Sequence, residues 1–446
     1  MYEIVLGRKP SDIKKYGSKG AILIGKHYVT MERNKVLANP VYLDFNQPHA
    51  ILVAGKRGTG KSYTLGVMME GISELDDSLK NNITSILFDT MGIYWTMKYP
   101  NFKDSELLTK SNIKPKSCDI TLYAPKGSYD SLLKRGIPVD KSFSIKPNEI
   151  NFENWCKLFD IELTSKSGLL LERSLEESGT DYSIKDILKS IDKDKDSEKD
   201  VKLILENKLK FIDKWGIFDE KGTDFSEFLI GGKNIIIDLS EYSQIENGEK
   251  IKSLVIGFLC NYIMRVRMAA RKEEELAILK DNNLFSENHS NVPLMNLFID
   301  EAHEFLPDKG ATLASYPLMQ ILREGRQPGI SLILATQQPG KINTDVITQS
   351  DILLSHRLTS KFDLDAMNQM MQSYTTSELN QYIDSLPRKS GAAIVLDDTN
   401  EKIYPIQIRP RFSWHGGENP KLIRGKLLSK MSDSVRDELA EENKTL

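Results

Sequence analysis

Residues 55–62, GKRGTGKS, restrict what this chain can fold into more than any other stretch. They follow the apolar run ILVA and precede the helix-prone YTLGVMMEGI, which is the strand, glycine loop and helix that the pattern G-x-x-x-x-G-K-[ST] requires. Glycines let the backbone wrap until its N–H groups point inward at an anion, and the following helix adds its N-terminal dipole. Gly55, Lys56, Arg57, Gly58, Thr59, Gly60, Lys61, Ser62 and Tyr63 are therefore the candidate nucleotide-binding residues. Lys61 is expected to meet the β- and γ-phosphates and Ser62 to ligate magnesium, so ATP and Mg2+ are the implied cofactors.

A phosphate loop needs acids nearby, and LFIDEAHEF supplies them. An apolar strand running into Asp300 and Glu301 delivers both carboxylates at its C-terminal end, where an open α/β sheet binds ligands. Asp300 is the candidate for the metal and Glu301 for general base toward an attacking water. In LREGRQPGISLILATQQP, residues 322–339, a second apolar strand exits into Thr336, Gln337 and Gln338. Gln337 is expected within reach of the γ-phosphate or the water. Arg323 and Arg326 stand at the other end, on a helix expected to run to Gly329. Two readings fit them: compensation of a helix C-terminal dipole, or an arginine that reaches the nucleotide of a neighbouring subunit. Asp89, closing the strand SILFD, either faces the nucleotide or caps its own turn, while Tyr94 and Trp95 read as packing residues. His303 and His356 have no metal-ligand companions at useful spacing and read as structural.

Runs of the same kind recur at 51–55, 85–89, 234–239, 294–300, 331–337, 351–358 and 391–397. Near-continuous apolar strands separated by helical patterns predict an α/β core with a mainly parallel sheet covered on both faces. The expected organisation is a short N-terminal β segment at 1–48, a first part of the core at 49–144, a helical insertion at 145–230, a second part of the core at 231–410 and an arm at 411–446. The polar stretch 280–291 reads as an exposed loop. With 40% hydrophobic and 28% charged residues the bulk should fold rather than stay disordered. A net charge of -3 gives no global field for nucleic acid, though a local basic lining remains open. Cys118, Cys156 and Cys260 are scattered without zinc spacing, which fits a reducing compartment. The N-terminus has no apolar core of a leader, and the apolar run SLVIGFLCNYIM reads as too short to span a bilayer, so a cytoplasmic protein without a membrane contact is expected.

Taken together, GKRGTGKS, FDTMGIYW, FIDEAHEFLP, REGRQPGISLILATQQP, ILLSHRLTSKFDLDAM and PIQIRPRFSWHGG resemble, in order, the motifs of the HerA branch of the HerA–FtsK ATPases, over most of residues 40–417. The resemblance implies a RecA-like P-loop NTPase core, a homo-hexameric ring with nucleotide sites between subunits, and ATP-driven translocation of double-stranded DNA through a central pore. It also implies a partner, a nuclease or another effector enzyme such as a sirtuin-type NADase. Archaeal members carry an N-terminal β-barrel, whereas only about 48 residues precede the phosphate strand here, too few for a full barrel. Such shortened members resemble those encoded beside effectors in bacterial anti-phage systems, where a ring can also serve as a nucleotide-dependent scaffold. In RecA-like rings the loops after the acid strand and after the polar strand face the pore, which nominates Lys309 and Lys341 as DNA contacts or as plain surface lysines. His415, with Gly416 and Gly417, either touches a neighbour's nucleotide or forms an ordinary turn.

Overall fold

The computed structural model describes residues 2–31, 34–281, 292–358, 386–387 and 389–417. Residues 282–291 of the polar stretch, all of SKFDLDAM and the arm beyond 417 lie outside them. Among the described residues, one sheet of 13 strands organises the fold. In chain order these are β1 (Ile4–Leu6), β2 (Ala21–Met31), β3 (Asn34–Asp44), β4 (Ala50–Ala54), β5 (Ile83–Asp89), β6 (Thr121–Pro125), β7 (Lys141–Phe143), β8 (Asn234–Asp238), β9 (Leu294–Ile299), β10 (Ile330–Thr336), β11 (Ile352–His356), β12 (Ala392–Asp397) and β13 (Lys402–Ile408). Their spatial order is β1-β3-β2-β13-β12-β11-β4-β10-β9-β5-β8-β6-β7.

From β11 to β7 every neighbouring pair is parallel. The sequence dictates this. β5, β8, β10 and β11 are buried at every position, which only a sheet covered on both faces allows. Successive side chains of a strand go to opposite faces, so β10 sends Leu332 and Leu334 into one core and Ile333 and Ala335 into the other. The first core is covered by Phe152–Phe159, Lys166–Glu177, Ile184–Lys193 and Lys199–Asp213, and by the long helix Gly248–Asp281. The second is covered by the helix that follows the phosphate loop, Lys61–Ser73. The fold is thus α/β with a mainly parallel sheet flanked by helices, an inserted helical subdomain and a short N-terminal β segment.

Two expectations change. SLVIGFLCNYIM belongs to a helix that is long and apolar enough to cross a membrane, and 61% of its most apolar window is buried within the protein. The helix carrying Arg323 is Ser315–Glu324 and stops well before Gly329, whose φ of 89° ends any helical path into β10. The N-terminal β segment joins the main sheet through antiparallel pairing of β13 with β2. All three cysteines are buried and free.

Candidate active site

β10 lies between β4, which feeds the phosphate loop, and β9, which carries the acid pair. The three strands are parallel, so their C-terminal ends place the loop, Gln337 and Asp300–Glu301 side by side. Register makes the alignment tight: Thr336 pairs with Ala54, and its carbonyl accepts the Gly55 N–H at 3.2 Å. Around the loop, Thr59 Oγ1 donates to the Lys56 carbonyl at 2.7 Å, and the Lys56 N–H donates to the Arg357 carbonyl at 3.3 Å. Gly60, at φ 118°, adopts a backbone that a side chain would strain and opens the helix Lys61–Ser73. Arg57 and Gly58 are exposed in the loop. Tyr63 is turned to other work: its hydroxyl oxygen accepts the Arg411 N–H at 2.6 Å, and its ring meets His415 edge-on.

Lys61 is buried, with Nζ at 3.4 Å from the Lys56 carbonyl oxygen. Burial pushes its pKa down, against the pull of Glu301 and Asp300. Asp300 is also buried; its Oδ1 accepts the Glu301 N–H at 3.0 Å and its Oδ2 accepts the Tyr94 hydroxyl at 2.8 Å. The Ser62 hydroxyl also acts on Tyr94, opposing the rise that burial gives the phenol's pKa. One phenol therefore holds the carboxylate and lies near the hydroxyl, the two groups nominated as magnesium ligands. These two groups suit a hard cation that takes oxygen ligands and completes its shell from phosphate.

Glu301 has the strained backbone of the site, with φ 52° and ψ 44°. Its Oε2 is buried without a hydrogen-bond partner. Burial first, then the Asp300 charge, raise its pKa to about 7, while Lys61 opposes them. A carboxylate of that basicity can accept a proton from water near neutrality. His303 Nδ1 stands 3.6 Å from Glu301 Oε2 and 3.2 Å from Thr336 Oγ1, and its Nε2 lies 3.3 Å from Gln338 Nε2. The histidine read as structural thus lines the site. His356 does hold structure: its Nε2 meets Thr64 Oγ1 at 2.9 Å, its Nδ1 meets the Ala392 carbonyl at 3.2 Å, and burial lowers its pKa to about 4.

The remaining candidates separate by location. Asp89 is fully buried and accepts the N–H groups of Met91, Gly92, Ile93 and Tyr94, so it caps its own turn. Lys309 and Lys341 are exposed on loops joined by the bridge Pro307–Ile342 and by an Asp308 N–H to Lys341 carbonyl bond of 2.9 Å. Arg323 and Arg326 are not brought to the loop. Arg323 pairs with Asp345, while Arg326 Nη2 lies 3.3 Å from Asp351 Oδ2 at the opposite ends of the strands. There Asp351 also accepts His49 Nδ1–H at 2.6 Å, and His49 faces Asp44, itself paired with Arg8. On the far side of the phosphate-loop helix, Glu70 is fully buried. It takes hydrogen bonds from Arg409, Arg411, Phe412 and Ser413, tying the residues after β13 to that helix.

The fold defines the class: a RecA-like P-loop NTPase core. In overall fold the chain matches the structure of VirB4 from Thermoanaerobacter pseudethanolicus, with a TM-score of 0.51, 14% identity, and coverage of 88% of this chain and 96% of that one. The profile described as "Helicase HerA, central domain" matches residues 22–263, and the chain belongs to that family. Among curated relatives it is 23% identical to the DNA double-strand break repair helicase HerA of Sulfolobus acidocaldarius, over 95% of this chain and 76% of the relative. A protein of the same description from Sulfurisphaera tokodaii is 26% identical over 74% of this chain, which spans 58% of that relative's length.

Proposed function

We propose that the protein is an ATP-hydrolysing motor that moves on double-stranded DNA as a ring of identical subunits. The observation that carries this reading is the buried, unpartnered Glu301 oxygen held beside Lys61 and Asp300 at the mouth of the phosphate loop. Lys61 and the loop N–H groups bind the phosphates, and Gln337 stands where the γ-phosphate or the attacking water is sensed. Ser62 and Asp300 would hold magnesium, which when bound screens charge on the phosphates. Glu301 takes the proton of the attacking water.

Arg326 is the group offered to a neighbour, since its own phosphate loop is at the other end of the sheet. Lys309 and Lys341, on adjoining loops past β9 and β10, are the proposed contacts to DNA phosphates, repeated around the ring. The relatives' description as double-strand break repair helicases supports a partner that processes DNA ends, such as a nuclease. With this reading go the proposed limits 49–144 and 231–410 for the two parts of the motor core and 145–230 for its helical insertion.

ATP turnover measured with and without duplex DNA across a salt series tests the motor. Stimulation by DNA that fades as salt rises is expected, and Glu301→Gln should lower turnover by about 10²–10⁴-fold while nucleotide still binds. Turnover indifferent to DNA at every salt concentration would sink the reading.

A further inference from the structure

We propose that Tyr94 is a positioning residue that sets the magnesium affinity of the nucleotide site, by orienting the Asp300 carboxylate beside the Ser62 hydroxyl. The inference rests on the assignment of those two residues as the metal's ligands.

The phenol is fully buried, donates to Asp300 Oδ2 at 2.8 Å and lies near the Ser62 hydroxyl. Asp300 Oδ1 is already taken by the Glu301 N–H, so the two bonds together fix the carboxylate's rotation. Tyr94 itself is fixed by its turn. β5 and β9 are neighbours, with Phe88 paired to Ile299, so Asp89 and Asp300 leave the sheet side by side. The chain after Asp89 then wraps around that carboxylate, whose Oδ2 holds the Tyr94 N–H at 2.8 Å. The wrap needs Gly92 at φ 68°, where an added Cβ would come within 2.6 Å of Ser240 Oγ. Asp89 thus fixes the turn, the turn fixes the phenol, and the phenol fixes the acid. Groups that orient a metal's ligands change metal affinity by about 10–100-fold when removed.

The test is binding of a fluorescent ADP analogue to the full chain, first in chelator and then through a magnesium titration. Tyr94→Phe keeps the ring and removes one oxygen. It is expected to bind metal-free nucleotide within about twofold of wild type, and to need about 10–100-fold more magnesium to reach the tightened state. An unchanged magnesium midpoint in Tyr94→Phe, with the midpoint displaced in Asp300→Asn, overturns the role of Tyr94 and leaves the site reading standing. If Asp300→Asn and Ser62→Ala also leave the midpoint in place, the site reading itself fails. Should Tyr94→Phe not fold, Gly92→Ala provides the second reading, because it shifts the turn and keeps the phenol. A raised midpoint supports the proposal, and an unchanged one in folded protein overturns it.

Discussion

The two ends of the parallel strands make opposite use of charge. At the C-terminal ends, Lys61, Asp300 and Tyr94 are buried, the phenol donates to the Asp300 carboxylate at 2.8 Å, and Lys61 feels the charge of the acid pair. At the N-terminal ends, Arg323 and Arg326 are 58% and 70% exposed, each tied to a single acid. Burying ionic groups costs desolvation that only close partners offset, so the first end is built to work within one chain. An exposed arginine held by one carboxylate pays almost nothing to leave it, which is the state expected of a residue that serves a surface supplied by another subunit.

The largest effect that would sharpen this contrast is on turnover. Arg326→Ala should lower ATP hydrolysis by about 10³–10⁵-fold with nucleotide affinity nearly intact. Mixing Arg326→Ala with Lys61→Ala subunits should restore activity at sites having both intact halves; no restoration at any ratio would break the contrast. Next comes Glu70→Ala, which leaves Arg409 and Arg411 without their buried partner. A loss of about 3–5 kcal/mol in denaturant unfolding is expected.

A smaller effect belongs to His49. Burial works against its charge, yet the Asp351 and Asp44 carboxylates outweigh that and raise its pKa from 6.5 to about 9. Because the folded-state value is the higher one, the stabilisation is complete below about pH 6.5 and is lost as pH climbs through about 9. About 3 kcal/mol is at stake, from 1.36 kcal/mol per pKa unit. Urea unfolding across that window should show the decline, and Asp351→Asn should remove most of it. The smallest effect is that of Arg323→Ala, whose exposed pair with Asp345 contributes under about 1 kcal/mol, so the melting temperature should barely move.

Much of this was legible in the residues. All seven apolar runs are strands, because a strand buried on both faces shows its apolar character without needing a period. β1, β6, β7 and β13 were not legible. β13 reads KIYPIQI, half-exposed and interrupted by Pro405, which argues against a strand in an inner position of a sheet. The placement of the acid pair and the glycine loop at strand ends was legible because local spacing alone defines it. Tyr94 and His303 were not, since their partners lie on other strands. The one signal available was that a buried tyrosine hydroxyl must find an acceptor. The capping role of Asp89 was one of two readings, and four backbone donors decide it.

The pairing of β13 with β2 bears on how the chain is made. Tyr28 and Gln407, hydrogen-bonded at 2.7 Å across these strands, are 379 residues apart in sequence. At about 5–20 residues synthesised per second, β2 and β3 leave the ribosome roughly 20–80 s before the strand that completes them. Throughout that interval the hairpin presents an unpaired edge, the kind of surface on which nascent chains aggregate. Yield of soluble protein should therefore depend on translation speed and chaperone supply more than the finished molecule's stability suggests.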